Sequence, residues 1–362
     1  MAFTIQLVSP PLTGTPVGEA QYTDFSFTQN LNKPSTLSFS MSGFSEGNIH
    51  LGEMDTDVML YEDRALRYRG RVTGISDTID ESDHKVSVSS SDYRSLLNRR
   101  ITWTDLAYTQ TEQTALGFAL ITYAQQRNGG DLGITRGVLQ TSDVLRDRTY
   151  PAGSNILKIL DELSNVVTGF EWEIDQWRKF NVWNPFRGTS TTVIAAHGSN
   201  VNSITRQTDP STYANAVRSS GATGVTAAGV ELASLADVAN PLPQGRFDLQ
   251  EGNTDVTTYA VLLEGAQGKL ASMSALNPSY TLQMTPGTWS YDSIHLGDTI
   301  RVVVRSGRLD INELQRVQGI ALKVGSDGVQ RYTLTVGVSR DTDPLLNQFR
   351  DVNKRLNQLA RR

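Results

Sequence analysis

The tetrapeptide IHLG occurs twice in this chain, at residues 49–52 and 294–297, and the match runs on beyond it. With the spacing held at 245, Val58 falls on Val303, Arg71 on Arg316, Val72 on Val317, Gly74 on Gly319 and Ile75 on Ile320. One inserted residue then brings Val86 and Val88 onto Tyr332 and Leu334. A shared register over about forty residues marks two copies of one supersecondary unit. Copies separated by so much other chain describe two similar domains rather than a solenoid. Gly52, Gly74, Gly297 and Gly319 recur in the paired copies and are expected at turns where backbone freedom matters.

Both copies read as β-structure. LSFSMS alternates at Leu37, Phe39 and Met41, and VMLYED, LRYRGRV and KVSVSSS follow between polar breaks. Strands at this spacing predict a barrel or sandwich. The opening segment alternates at Phe3, Ile5 and Leu7 and reads as a strand, not as a signal peptide. Near Ile101 the texture changes. Thr109 and Glu112 form a capping-box pair ahead of a helix carrying Leu116, Leu120 and Tyr123 on one face, stopped at Gly129-Gly130. A second helix is expected from Ser154, with Ile156, Leu160, Leu163 and Val167 at helical spacing and Gly169 at its end. FEWEI then alternates at Phe170, Trp172 and Ile174, and DQWRK turns the chain into a hairpin. A third helix is expected from Asp255, with Tyr259, Leu262, Ala266, Leu270 and Met273 on one face.

The expected class is therefore α+β and mostly β: two similar β-barrel domains in one chain, with inserted small α/β domains and a C-terminal helix. The first barrel takes residues 1–100 and is completed by about 185–202. An α/β insertion domain takes 101–184. The second barrel takes 203–343, with a helical/β insert at about 236–291, and residues 344–362 form the terminal helix. In that tail Leu345, Phe349, Val352, Leu356 and Leu359 are spaced 4, 3, 4, 3. That is the a/d seam of a coiled coil, an oligomer seam.

Composition narrows the chemistry. The chain has 362 residues, enough for two or three domains. It has no cysteine, which excludes disulfides, thiolate metal sites and cysteine nucleophiles and fits folding in a reducing cytoplasm. A net charge of −5 gives no gain from counterion release on DNA, so sequence-specific nucleic-acid binding is not expected. No apolar run approaches the roughly 18 residues of a membrane span.

Catalytic patterns are thin. GFSEG at residues 43–47 matches G-x-S-x-G with His50 close by, but the string is followed by loop and strand, not the helix of a nucleophile elbow. His50, His84, His197 and His295 show no metal-ligand spacing. Glu53, Asp55 and Asp57 form the densest carboxylate cluster and read as a solvated approach to a strand. The tryptophans are Trp103, Trp172, Trp177, Trp183 and Trp289; the three in the 170–184 hairpin are expected in core or interface packing, with a glycan platform of exposed ones as the rival reading. No phosphate-binding glycine loop is present. No catalytic, cofactor or metal site is expected, and the protein is not expected to be an enzyme.

The paired IHLG…RVTGI and IHLG…RVQGI units, with LRYRGRVTGI, HLGDTIRVVV and GSNVNSITRQTDPSTYANAVRSSG, resemble the baseplate hub proteins of tailed bacteriophages. In siphophages these are the tail-tip, or tail-associated minor tail, proteins. The resemblance covers roughly residues 1–343. It implies two similar β-barrels per chain and a homotrimer that forms a pseudo-hexameric ring around the DNA channel. It further implies that the hub joins the tail tube or distal tail ring to the tip. The partners so implied are other copies of itself, a distal tail or tail tube protein, a tape measure protein and a distal tip or fibre protein, all within the virion tail. The alternatives are a carbohydrate-binding or depolymerising tail protein at the host surface, and the spike-carrier hub of a contractile machine.

Overall fold

A computed structural model describes residues 2–12, 14–81, 83–164, 168–208, 210–221, 228–231, 245–252, 259–274 and 278–337. The chain divides into two compact units. The larger comprises Met1–Ser164, Thr168–Thr205 and Thr281–Val336, and the smaller centres on Arg206–Tyr280.

The larger unit begins with seven strands: β1 (Phe3–Val8), β2 (Gly18–Ala20), β3 (Tyr22–Asn30), β4 (Thr36–Ser42), β5 (Asp57–Glu62), β6 (Ala65–Ile79) and β7 (His84–Ser91). Alternation sets their faces. Leu37, Phe39 and Met41 of β4 are buried against Phe25 and Phe27 of β3 and Val86 and Val88 of β7. After β7 come a short helix α1 (Tyr93–Leu96), β8 (Leu106–Glu112), α2 (Gln113–Gln125), β9 (Thr135–Leu139), β10 (Leu145–Tyr150), α3 (Ile156–Ser164), β11 (Glu171–Ile174) and β12 (Lys179–Trp183). These build one core, in which Leu116, Leu120, Ile156, Leu160 and Leu163 of the helices meet Phe170, Trp172 and Phe180. Val167 lies outside the described residues.

The cap of α2 differs from expectation. Thr109 lies within β8, and Glu112 is itself the N-cap, accepting from the amides of Thr114 (3.0 Å) and Ala115 (2.8 Å). The strand runs into the helix without a loop, so the capping carboxylate comes from the strand's last residue. Glu112 also accepts from the Ser142 amide and hydroxyl, and these hydrogen bonds hold its carboxyl down at about 2 against the opposing desolvation.

Two more strands, β13 (Ser190–Ala196) and β14 (Val201–Gln207), lead into the smaller unit. There β15 (Ala216–Ser220) pairs antiparallel with β16 (Ala228–Glu231) and parallel with β17 (Asp248–Gly252). Helix α4 (Tyr259–Met273) covers them, with Ala266 and Leu270 packed on Val217 and Leu249. The expected apolar face of this helix is present at Leu262, Ala266 and Leu270, whereas Tyr259 is half exposed.

The chain returns to the larger unit with β18 (Ser279–Met284), β19 (Thr299–Ser306), β20 (Leu309–Val324) and β21 (Gln330–Gly337). The strands of both repeat copies belong to one 13-stranded sheet, in the order β14-β18-β21-β20-β3-β4-β7-β6-β5-β1-β2, with β19 between β20 and β13. The mainly-β class is as expected. Among the described residues no sheet closes into a barrel, and the two copies lie side by side within one sheet. The physical reason is the β3–β20 ladder: an edge of one copy is hydrogen-bonded to the other instead of returning to its own first strand.

Candidate assembly surface

The sheet order shows the duplication directly. β3-β4-β7-β6-β5 of the first copy corresponds in order to β14-β18-β21-β20-β19 of the second; the sixth strands differ in direction, β1 lying antiparallel to β5 and β13 parallel to β19. The correspondence extends to a defect. The β6–β7 register shifts between Val72 and Gly74, and the β20–β21 register shifts between Val317 and Gly319. A bulge at the same place in both copies explains why glycine recurs at 74 and 319. Beyond it, Ile75 faces Val88 and Ile320 faces Leu334, the pairs the sequence alignment brings together.

The IHLG segments do not superpose as the letters suggest. Val72 exchanges hydrogen bonds with the Met54 amide and the Thr56 carbonyl, whereas Val317 does so with Gly297 and Asp298. Met54 is therefore the counterpart of Gly297, and both are left-handed, at φ 61° and 87°. Asp57 pairs with Arg71 and Thr299 with Arg316, so Val58 corresponds to Ile300, not to Val303. Three extra residues before β5 are offset by a β19–β20 hairpin three residues longer, and the constant spacing in sequence hides both changes.

Arg71 and Arg316 hold equivalent buried positions and do the same first task. Each donates to the carbonyl of the left-handed turn residue, Met54 at 3.1 Å and Gly297 at 3.0 Å. Their carboxylates differ. Arg71 Nε meets Asp57 at 2.6 Å, and Asp57 also accepts from the Leu12 amide and the Tyr93 hydroxyl. Burial, then the Asp57 charge, pushes the Tyr93 hydroxyl up to about 12. Asp57 is thus a buried structural hub, unlike the exposed Glu53 and Asp55, which corrects the solvated reading of that cluster. Arg316 instead grips Glu171 of β11 with two bonds of 2.7 Å, which pins the helical segment to the sheet.

The joint between the copies is a six-pair antiparallel ladder, from Gly319 opposite Asn30 to Val324 opposite Phe25. The loop before the second IHLG seals it. Arg67 clamps Asp292 through bonds of 2.6 and 2.8 Å and lies 4.7 Å above the Tyr291 ring. Tyr291 donates to Gln29 and packs on Phe27. The hydrogen bond from Arg67 lowers the Asp292 carboxyl, and burial raises the Tyr291 hydroxyl.

Identical letters meet different surroundings here. Ile294 at this joint is 1 % exposed, whereas Ile49 is 82 % exposed. Val324 is 6 % exposed, and its counterpart Ile79 is 73 % exposed. Phe44, also 82 % exposed, packs edge-on against His84, whose ring meets Asp77 at 2.9 Å. Phe44 and Ile79, both against His84, thus present apolar surface at the β6–β7 turn of the first copy.

Of the four glycines expected at turns, Gly74 and Gly319 lie inside β6 and β20; Gly297 lies opposite the Arg187 carbonyl, which a Cβ would approach to 2.5 Å, while nothing stands within 4 Å at Gly74. A Cβ at Gly52 would make ordinary contact with Asp55, and one at Gly319 would meet Asn30 at 2.8 Å. Leu345, Phe349, Val352, Leu356 and Leu359 lie outside the described residues. Ser45 of the GFSEG string caps a 3-10 helix, Glu46–His50, and its buried hydroxyl has no hydrogen-bond partner among the described residues. Of the tryptophans, Trp172 is buried beneath Arg94, and Trp103 and Trp177 are exposed. No helix among the described residues is long and apolar enough to cross a membrane.

The chain has the fold of bacteriophage and prophage tail proteins. A tail protein from Neisseria meningitidis MC58 matches with TM-score 0.68 at 12 % identity, over 95 % of this chain and 99 % of that one. The 43 kDa tail protein of prophage MuSo2 from Shewanella oneidensis gives 0.66 at 14 % identity, over 93 % and 98 %. An Escherichia coli type VI secretion component, described as structurally similar to the T4 tail proteins gp27 and gp5, gives 0.52 at 13 % identity, over 93 % and 78 %. No family model and no curated protein matches the sequence.

Proposed function

We propose that this chain is a structural, non-enzymatic hub subunit of a bacteriophage tail tip. It acts as a homotrimer whose six repeat copies form a pseudo-hexameric ring around the DNA channel. The ring joins the tail tube or distal tail ring to the tip. The observation that carries this reading is the pair of units that share the order of five strands, β3-β4-β7-β6-β5 and β14-β18-β21-β20-β19, side by side in one chain. A tail tube is six-fold and a central tip three-fold, and two copies per chain reconcile the two within closed interfaces. The likeness in fold to tail proteins supports the same role.

On this reading the two units stand for the two barrel domains, the first over residues 1–100 and the second over 203–343; the stretch 185–202, expected to complete the first, carries β13, which pairs with β19 of the second. The segments at 101–184 and about 236–291 decorate the ring. The heptad seam from Leu345 to Leu359 gathers the three chains at one end or meets a tip or fibre protein. The likeness to the type VI secretion component favours a second reading, the spike-carrier hub of a contractile machine. Light scattering on the purified protein across a concentration series tests the hub. Three times the 39.7 kDa chain mass is expected, and a monomer throughout refutes a self-assembling ring.

A further inference from the structure

The joint between the two copies uses edges that are left open elsewhere. In β20, residues 319–324 have β21 on one edge and β3 on the other. In β6, the equivalent residues 74–79 have β7 on one edge, and β5 pairs only as far as Arg71. Among the described residues their second edge is open. Among the described residues β14, the counterpart of β3, ends the strand path and pairs on one side only. Each chain thus carries one filled joint and the two unpaired halves of another.

Burial follows the same pattern. Val324, covered at the filled joint, corresponds to the exposed Ile79. On the other half, Arg69 of β6 is 8 % exposed and its counterpart Leu314 of β20 is 58 % exposed. Apolar side chains stand exposed where the second joint is missing its partner. Charge agrees: the open stretch of β6 carries only Asp77, and β14 carries only Arg206.

We propose that β14 of one chain pairs antiparallel with residues 74–79 of β6 in the next, repeating between chains the β3–β20 ladder made within each. The partner is a second copy of this chain. Only a copy presents both the strand and the apolar patch that the in-chain joint shows to be complementary. The two half-joints differ, so the contact is head-to-tail, and it fills both half-joints of every chain only when the ring closes. The inference rests on the trimer reading and adds to it the surface that closes the ring. It also accounts for edge strands left uncovered in a protein that would otherwise be prone to aggregate.

The absence of cysteine makes the test direct. Ser76→Cys is combined in turn with Asn202→Cys, Ser203→Cys, Ile204→Cys and Thr205→Cys. Facing residues in an antiparallel ladder lie about 4.5–5.5 Å apart at Cα, within disulfide reach. Ser26→Cys with Lys323→Cys, which face each other in the in-chain ladder, serves as the control and gives a disulfide within one chain. The expected result is a covalent trimer on a non-reducing gel in one register of the four. A trimer by light scattering with the control bridged and all four pairs uncrosslinked overturns the edge pairing and leaves the trimer standing. A monomer with no cross-link overturns both.

Discussion

Arg316→Met isolates the bond that ties the helical segment to the sheet. The substitution keeps most of the side-chain volume and removes both 2.7 Å bonds to Glu171, the donation to Gly297 and that to the Arg187 carbonyl. Glu171, 1 % exposed, keeps the Arg187 amide at 2.7 Å and loses its countercharge. Leaving one member of a buried pair without its partner costs about 3–5 kcal/mol. At about 2–3 °C per kcal/mol for a unit of this size, the melting temperature should fall by roughly 6–15 °C. Restoring neutrality with Glu171→Gln in the same chain should recover at least about 1.5 kcal/mol relative to the sum of the single variants. The assay is thermal and urea unfolding followed by tryptophan fluorescence, since Trp172 lies beside Glu171 in β11. A single-variant loss under about 1 kcal/mol, or strict additivity in the double variant, refutes the claim that this pair locks the two parts together.

Other expectations follow from the same geometry. Gly297→Ala should cost about 2 kcal/mol or more in urea unfolding, since it combines a left-handed φ with a backbone clash, while Gly74→Ala should stay within roughly 1 kcal/mol. Ile79→Asp should leave the melting temperature of the isolated chain within about 2 °C, since the residue is exposed, and shift light-scattering mass toward monomer. Asp92 caps α1, and burial raises its carboxyl to about 6. Because the folded value exceeds the unfolded one, its contribution is most favourable at low pH and is lost as pH rises from about 4 through 6. Asp92→Asn should therefore gain stability relative to the parent over that window, on the order of 3 kcal/mol, and a flat difference in urea titrations at several pH values would contradict it. Glu112→Ala should cost about 1 kcal/mol through loss of the α2 cap, and the deficit should disappear in acid, since the depressed carboxyl contributes only while ionised.

By itself the sequence determined what depends on neighbours close along the chain. Alternation at Leu37, Phe39 and Met41 specifies a half-buried strand, because side chains switch faces at every residue. Helical spacing placed Leu116, Leu120, Leu160 and Leu163 in one core. The recurring letters at Gly74 and Gly319, and at Arg71 and Arg316, marked equivalent positions, and the structure gave them their roles, a shared bulge instead of the expected turns and a shared support for a left-handed turn residue. Only the tertiary structure decided that the copies share one sheet through β3 and β20. It alone showed that Met54, not Gly52, matches Gly297, because the compensating insertions leave the letter spacing unchanged. It alone separated Ile49 from Ile294, two residues in the same tetrapeptide. A side chain's burial is set by what packs across from it, and here the covering strand lies some 265 residues away in the chain, at Gln29 beside Tyr291.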